Sequence, residues 1–415
     1  MRFVLAGSGS RGDIQPLLLL ASALREAGHS AVLVGPPNFE RAASERALEF
    51  HAAGPDSEAL LKTHSRAVVG GPLAQIRFIK TRAAEDVAAQ FQVLANVAAN
   101  ADCIVSAGVF VAASSVAELY GCAYRFVAYF PEALPSPKHP PALFPRQGLP
   151  AWLNRLSWAG MRAALNFLLR GPLNVERKRA GLLPIQSVQE HVFDAQRSLL
   201  AYDAELVPHA PFTSPALGAW QPAQAENLPP DLSAFLDRGA PPVYLGFGSM
   251  PDATPEKTTA SILEAAHRHG VRVVLSSGWA ELGKGEIDER AFVVGPVSHA
   301  ALLPRCALAV HHGGAGTTAA VARAGIPQVI VPHVFDQFGW AQRIHGLGLG
   351  PAPLNRRRFS AQGLAEAIRA VHEDAGMRER AKRLAGSLAK DGLARAVRAL
   401  SDCCGSHPQL SHQNS

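Results

Sequence analysis

The chain starts its fold twice. Residues 2–6 (RFVLA) form a short apolar run, Gly7, Gly9 and Gly12 follow, and an apolar-periodic stretch then covers 14–27, with Pro16 in its first turn and Gly28 at its end. Helical spacing of apolar residues behind a proline-bearing first turn, closed by glycine, spells strand, tight loop and helix. Residues 30–34 (SAVLV) supply a second strand. A strand, a helix and a strand joined this tightly must place the two strands in parallel, because the helix is the crossover that returns the chain to the same end of the sheet. The pattern comes back at 243–247 (VYLGF), with Gly248 and Ser249, a helical stretch over 255–269 closed by Gly270, and 271–275 (VRVVL).

A chain of 415 residues exceeds what one core usually organises. Residues 213–242, with Pro215, Pro222, Pro229, Pro230, Pro241 and Pro242 and little periodicity, read as a linker between the two starts. The expected division is therefore 1–212, a linker at 213–242, a second unit at 243–400 and a polar tail at 401–415. Further buried strands are expected at 103–105, 291–294, 307–310 and 328–331, with a helix at 317–324 and a last helical stretch at 377–400. The fold class is α/β: two Rossmann-like domains whose parallel sheets face each other across a cleft.

Net charge +6 favours anionic partners such as a nucleotide diphosphate or an acidic membrane surface, and no basic run is dense enough to argue for nucleic acid. Five scattered cysteines without a CxxC spacing suggest neither a disulfide framework nor a zinc site, and fit a reducing cytoplasm. The first apolar run is too short for a signal peptide, and no uncharged run reaches the roughly 18 apolar residues of a membrane span.

Three motifs carry chemistry. The first, at 7–12, satisfies GxGxxG between strand and helix, a pattern that can cradle a dinucleotide. Asp13, however, places a carboxylate where phosphate charge would sit, and the second strand ends in Gly35, Pro36 and Pro37 rather than in a ribose-binding acid. The glycines then serve to aim Asp13 from a helix start into the cleft, where a carboxylate can take the proton of an attacking hydroxyl. A helix-stabilising Asp is the alternative. The second motif is HHGGAGTT at 311–318, behind the strand ALAV and ahead of a helix. Small residues admit a ligand to the backbone, and the amides and positive end of the helix suit a diphosphate, to which His311 or His312 can add a hydrogen bond. Adjacent histidines on a strand point to opposite faces and no third ligand is spaced nearby, so the pair is a poor metal site. No DxD triplet occurs, and neither metal nor another cofactor is expected. In the third motif Asp336 and Gln337 stand side by side at a strand end, an acceptor and a donor suited to neighbouring sugar hydroxyls, or else a helix cap.

GSRGDIQP at 9–16, FGSM at 247–250, SSGW at 276–279, HHGGAGTT at 311–318, AGIPQVIVP at 324–332 and FDQ at 335–337 together resemble the UDP-glycosyltransferase superfamily, in particular its bacterial antibiotic glycosyltransferases and its sterol glucosyltransferases. The resemblance implies the GT-B fold and an inverting, metal-independent transfer, with the acceptor on the N-terminal domain and the nucleotide sugar, UDP-glucose favoured, mainly on the C-terminal one. It implies that Asp13 is the general base and that Ser10, Arg11 and Gly12 lie beside the donor. Ser249, His311 or His312, Gly314, Gly316 and Thr317 would then face the diphosphate. Trp279 belongs to the donor side, Pro296 and Val297 fall where the nucleobase packs, and Asp336 and Gln337 match the pair that holds the hexose. One departure stands out: many relatives carry an acid after the strand at 104–105, where this chain has Ser106, Ala107 and Gly108, so Asp13 would act unaided.

The acceptor is expected to be small and largely apolar, such as a sterol or polyketide. Residues 146–179 combine Trp152, Leu156, Trp158, Phe167, Leu168 and Leu169 with several arginines, including Arg170 and Arg177, a mixture suited to an interfacial helix and hence to peripheral contact with the inner membrane face, or to an ordinary packed helix pair. The competing functions are an NAD(P)-dependent oxidoreductase and a non-catalytic glycosyltransferase-like auxiliary protein.

Overall fold

The computed structural model describes residues 1–64, 72–208, 212–222, 227–283, 287 and 289–405. Its first sheet has six strands in the order β3-β2-β1-β4-β5-β6, and its second has five in the order β11-β10-β7-β8-β9. Every pairing in both sheets is parallel. The first comprises β1 (Arg2–Ser8), β2 (Ser30–Gly35), β3 (Glu49–Ala52), β4 (Cys103–Gly108), β5 (Ala123–Ala128) and β6 (Ser198–Leu200). The second comprises β7 (Val243–Gly246), β8 (Val273–Ser276), β9 (Ala291–Val294), β10 (Leu308–His311) and β11 (Gln328–Ile330). Helices cover both faces, which is why the central strands read as unbroken apolar runs rather than as alternating patterns.

Five helices bear on the site: α1 (Arg11–Glu26), α2 (Ala151–Leu165), α3 (Ala315–Ala324), α4 (Gln337–Gly346) and α5 (Gly392–Gly405). The inner face of α1 buries Ile14, Leu17, Leu20 and Leu24 completely against β1 and β2. The stretch 377–400 is two helices, Ala375–Ser387 and α5, and α5 crosses back to lie on α1 with Ala396 and Leu400 wholly buried there. Within 213–242, Pro230–Asp237 is a helix whose Leu232, Phe235 and Leu236 join the core beneath the second sheet. Strands β3, β5 and β6 were not expected: β5 (AYRFVA) is interrupted by Arg125, β3 (EFHA) is half exposed, and β6 is three residues long.

Candidate active site

In each sheet the chain winds outward from a centre and then in the opposite direction, so strand order reverses between β1 and β4 and again between β7 and β10. Crevices outside the carboxyl ends of strands at such reversals are where open α/β sheets bind ligands. The glycine loop after β1, Gly108 at the end of β4, Gly248 after β7 and the histidine–glycine loop after β10 occupy those positions.

Asp13 is the third residue of α1 and closes a capping box: Ser10 N–H donates to its Oδ2 at 2.8 Å, and the Ser10 hydroxyl accepts from the Gly12 amide at 3.3 Å. The helix-capping arrangement of Asp13 is thus present, and the box occupies Oδ2 and leaves Oδ1 toward Gly108. Burial pushes its carboxyl up to about 6, against the lowering effect of the Ser10 hydrogen bonds. That brings a weak base close to the range useful for accepting a proton near neutrality. Gly9, at φ +127°, is required here, since a Cβ would sit 2.3 Å from Oδ2. Gly108 is equally constrained, at φ +67° with Ser8 O 2.2 Å from any Cβ. Ser106 turns its hydroxyl into the core to meet Tyr124 at 2.8 Å. Tyr129, unmarked by any sequence motif, donates to the Asp13 carbonyl at 3.0 Å and braces the first turn of α1.

At the second crevice α3 begins at Gly314, an N-cap residue with no side chain to offer its amides, so any cap must come from another element. The two histidines divide sharply. His311 is fully buried, its Nε2 paired with Gln328 Oε1 at 2.9 Å and its Nδ1 accepting from the Gly313 amide at 3.0 Å, so both ring nitrogens are used inside the protein. His312 lies between Gly248 and Gly314, and its Nδ1 has no partner. A Cβ at Gly314 would come within 2.5 Å of Nε2, and one at Gly248 within 2.9 Å of the ring. Of the two, His312 is the one with a free nitrogen at the loop. Burial holds it neutral, well below the usual histidine range.

Asp336 stands at the N-cap position of α4, yet its side chain does not cap that helix. Its Oδ2 instead accepts from the Ala315 amide, the first of α3, at 3.2 Å, so the sugar-motif residue is tied to the phosphate-motif helix. Burial, then the negative charges of Glu132 and Asp13, push its carboxyl up to about 7. The structure thus brings Asp13 and Asp336 within electrostatic reach across the cleft. Phe335, just before Asp336, holds a left-handed φ of +53° that costs a side-chain-bearing residue about 1–2 kcal/mol. Gln337 has one end engaged: its Oε1 accepts from the His333 and Val334 amides at 2.7 and 3.0 Å, and its NH₂ meets the Met250 sulfur at 3.4 Å. It shapes the turn and retains donor capacity alone.

The remaining donor-side residues are spread around this centre. The Trp279 amide donates to Gly248 O at 2.9 Å, which joins the SSGW loop to the β7 loop beside the half-buried Ser249. Arg11 is exposed on its own helix, pairs with Gln15 at 2.7 Å and acts electrostatically on Tyr244 and His299 of the second domain. Gly316 is exposed and its carbonyl takes Gln221 Nε2 at 3.2 Å, while Thr317 is half-buried and Val297 packs against the core around Tyr244 and Leu302. In the segment at 146–179, Trp158, Leu168 and Leu169 are core residues, and Arg177 is buried on Glu118 with bonds of 2.8 and 3.0 Å, so these four are not surface groups. Among the described residues no helix is long and apolar enough to cross a membrane, and no group of three or more metal-ligating side chains occurs.

Two parallel α/β domains that set the Asp13 carboxylate opposite the glycine-rich start of α3 define the class: a GT-B glycosyltransferase. The glycosyltransferase family 28 N-terminal domain matches residues 3–131, and the erythromycin biosynthesis protein CIII-like C-terminal domain matches 263–398. The chain is 33% identical over 414 residues to a vancomycin aglycone glucosyltransferase of Amycolatopsis orientalis, covering 97% of both. It is 29% identical over 438 residues to a sterol 3-beta-glucosyltransferase of Arabidopsis thaliana, covering 96% of this chain and 65% of that protein. Among solved structures the glycotransferase of kitacinnamycin superposes with a TM-score of 0.72 at 20% identity, covering 97% of this chain and 98% of that one. The chain belongs to the UDP-glycosyltransferase superfamily, with the antibiotic and sterol glycosyltransferases, and is a glycosyltransferase enzyme.

Proposed function

We propose that the enzyme transfers a hexose, glucose from UDP-glucose in the first instance, to a hydroxyl of a small, largely apolar acceptor with inversion and without a divalent metal. The observation that carries this reading is the opposition of Asp13, with Oδ1 outside its capping box, to the start of α3, which has no capping side chain of its own, with His312 beside it. The acceptor hydroxyl gives its proton to Asp13 as its oxygen bonds to the anomeric carbon. The anomeric bond to the diphosphate oxygen breaks on the opposite face, and attack from behind inverts the centre. Charge on the leaving diphosphate falls on the Gly316 and Thr317 amides, the Ser249 side and His312, fixed dipoles that need no reorganisation during the step. Asp336 holds the hexose hydroxyls, with the Gln337 NH₂ as the companion donor. Glucose is favoured because both relatives described above are named as glucosyltransferases.

A mass-spectrometric screen of nucleotide sugars against pooled sterols, phenols and macrolides tests the reading. UDP-glucose should give the largest product signal, EDTA should leave the rate nearly unchanged, and a β-linked product should form from the α-linked donor. A clear preference for a TDP-deoxysugar, or inactivity until Mg²⁺ is restored, overturns the donor or the metal claim respectively.

Peripheral membrane contact from a cytoplasmic position is part of the same proposal, now confined to one helix face. Trp152, Leu156 and Phe167 are 63%, 61% and 64% exposed, Arg155, Arg162 and Arg170 flank them, and α2 contains no acid. Exposed apolar side chains flanked by cations suit the boundary of an anionic lipid surface, from which an apolar acceptor would arrive. Co-sedimentation with anionic liposomes at low salt should be lost in a Trp152→Ser, Leu156→Ser variant. Equal, negligible pelleting of both proteins removes the membrane from the proposal.

A further inference from the structure

Among the described residues, three ion pairs join the two domains, and they are unlike. Lys62 and Glu281 meet at 3.9 Å, both well exposed. Asp203, buried beside the linker, takes Arg323 on both oxygens at 2.6 and 2.7 Å and also the Ala219 amide at 3.0 Å, so both of its oxygens are partnered. Glu132 is different. It lies 2% exposed in the loop after β5 and binds Arg343 of α4 through Oε1, while its Oε2 and Arg343 Nη1 have no partners. A buried ion pair with unused hydrogen-bonding capacity contributes little net stability, because the desolvation of both ions is only partly offset. Stability is therefore a poor reason for it to be there.

Its location supplies a better one. Arg343 sits seven residues, or about two turns, after Asp336 on the same helix. Between them, one turn into α4, is Gly339, where a Cβ would stand 2.5 Å from Glu132 Oε1 and 2.9 Å from Arg343 Nη1. Only a glycine lets the carboxylate lie this close to the helix backbone. Glu132 thus reaches from the first domain to grip α4 at two points, and Asp336 is the residue at that helix's start.

We propose that Glu132 is a positioning residue for sugar transfer: by seating against Gly339 and holding Arg343 it docks α4 on the first domain and fixes Asp336 relative to Asp13. The inference rests on the reading that Asp336 holds the donor hexose. The same contact has an electrostatic side. Glu132 and Asp13 are the charged groups that act on Asp336 from the first domain, both disfavouring its ionisation, and the Ala315 amide on α3 opposes them. Beside Glu132 itself stand Arg343, His139, which burial keeps neutral, and Tyr202.

Two variants of the full chain separate shape from charge. Gly339→Ala keeps the carboxylate but wedges it off the helix, and Glu132→Gln keeps the shape but removes the charge. Both should lower kcat/KM for the nucleotide sugar by roughly tenfold to a hundredfold, the scale of a small misplacement. Binding of UDP alone, measured by titration calorimetry, should change by less than about threefold, because the diphosphate contacts lie on α3 rather than on α4. In Glu132→Gln the acidic limb of kcat/KM against pH should also move down by roughly half a unit or more, since one of the charges opposing Asp336 ionisation is gone. Gly339→Ala should move it less. Should Glu132→Gln fail to fold, Arg343→Lys carries the same kinetic expectation. UDP and UDP-sugar binding weakened alike, or kcat/KM within about twofold of wild type in folded variants, overturns the proposal. Asp336→Asn serves as the control: if it spares the donor kinetics, the hexose reading has failed, and if it alone impairs them, only the role of Glu132 has.

Discussion

The starts of α1 and α3 face each other across the cleft, each reached from a strand through a glycine-rich loop, and each treats its unpaired amides in the opposite way. At α1 the helix carries its own anion, since Asp13 and Ser10 close a capping box on the first turn. At α3 no side chain caps the helix from within, and the first amide is met only by Asp336 from the neighbouring α4. One start thus carries its own anion while the other has only its first amide met, by a carboxylate from a neighbouring helix, although both begin with the same strand–loop–helix geometry. The difference teaches that this geometry does not decide whether a loop repels or attracts a phosphate. One side chain three residues into the helix does.

The comparison breaks most severely at Asp13. Asp13→Asn should lower turnover by about a hundredfold or more, the scale of general-base loss, while UDP affinity stays within about threefold. Near-wild-type transfer by this variant would reduce Asp13 to a helix cap. In the unmodified enzyme the rate should fall with acidification through about pH 7 to 6, because a carboxyl held at about 6 in Asp13 and about 7 in Asp336 loses its ionised form there. Asp336→Asn should remove the upper of the two inflections and weaken donor kcat/KM by roughly tenfold to a hundredfold, the scale of hydrogen bonds to a charged group. A pH profile unaltered by this change would show that Asp336 does not titrate in the reaction.

Smaller effects sharpen the contrast at α3. His312→Ala should weaken UDP binding by roughly tenfold, the scale of one lost hydrogen bond, with little change in melting temperature beyond the lost packing. His311→Ala should act the other way. It leaves Gln328 Oε1 and the Gly313 amide unpaired in the core, a loss of about 1–3 kcal/mol of stability read by denaturant titration, with UDP binding by the folded fraction close to normal. If His311→Ala instead abolishes UDP binding in a protein of normal stability, the division between the two histidines is wrong.

Sequence made one half of this comparison legible and hid the other. Glycines beside Asp13, and HHGGAGTT behind an apolar run, are local signals, because a tight turn and a helix start are built from neighbours in the chain. The choice between His311 and His312 was not legible, since it depends on Gln328 from β11 and on Gly248 from the β7 loop. That Gln337 would keep only its NH₂ to offer was not legible either, because a bend in the chain turns its carbonyl back onto the His333 and Val334 amides. Glu132 gave no signal at all: a lone acid after Pro131 gains meaning only when Gly339 and Arg343 arrive from the other domain.

What the sequence by itself determined is the repeated strand–loop–helix start, the α/β class, the two crevice motifs and the family they resemble, all of which follow from patterns within some thirty residues. Only the tertiary structure decided where the strand order reverses, that α5 returns to α1 instead of staying with the second domain, and that Asp13, Glu132 and Asp336 share one cleft. The physical reason is the same in each case. An amphipathic stretch specifies that a face will be buried but not against what, and a carboxylate's charge state depends on the burial and the charges that other segments bring to it.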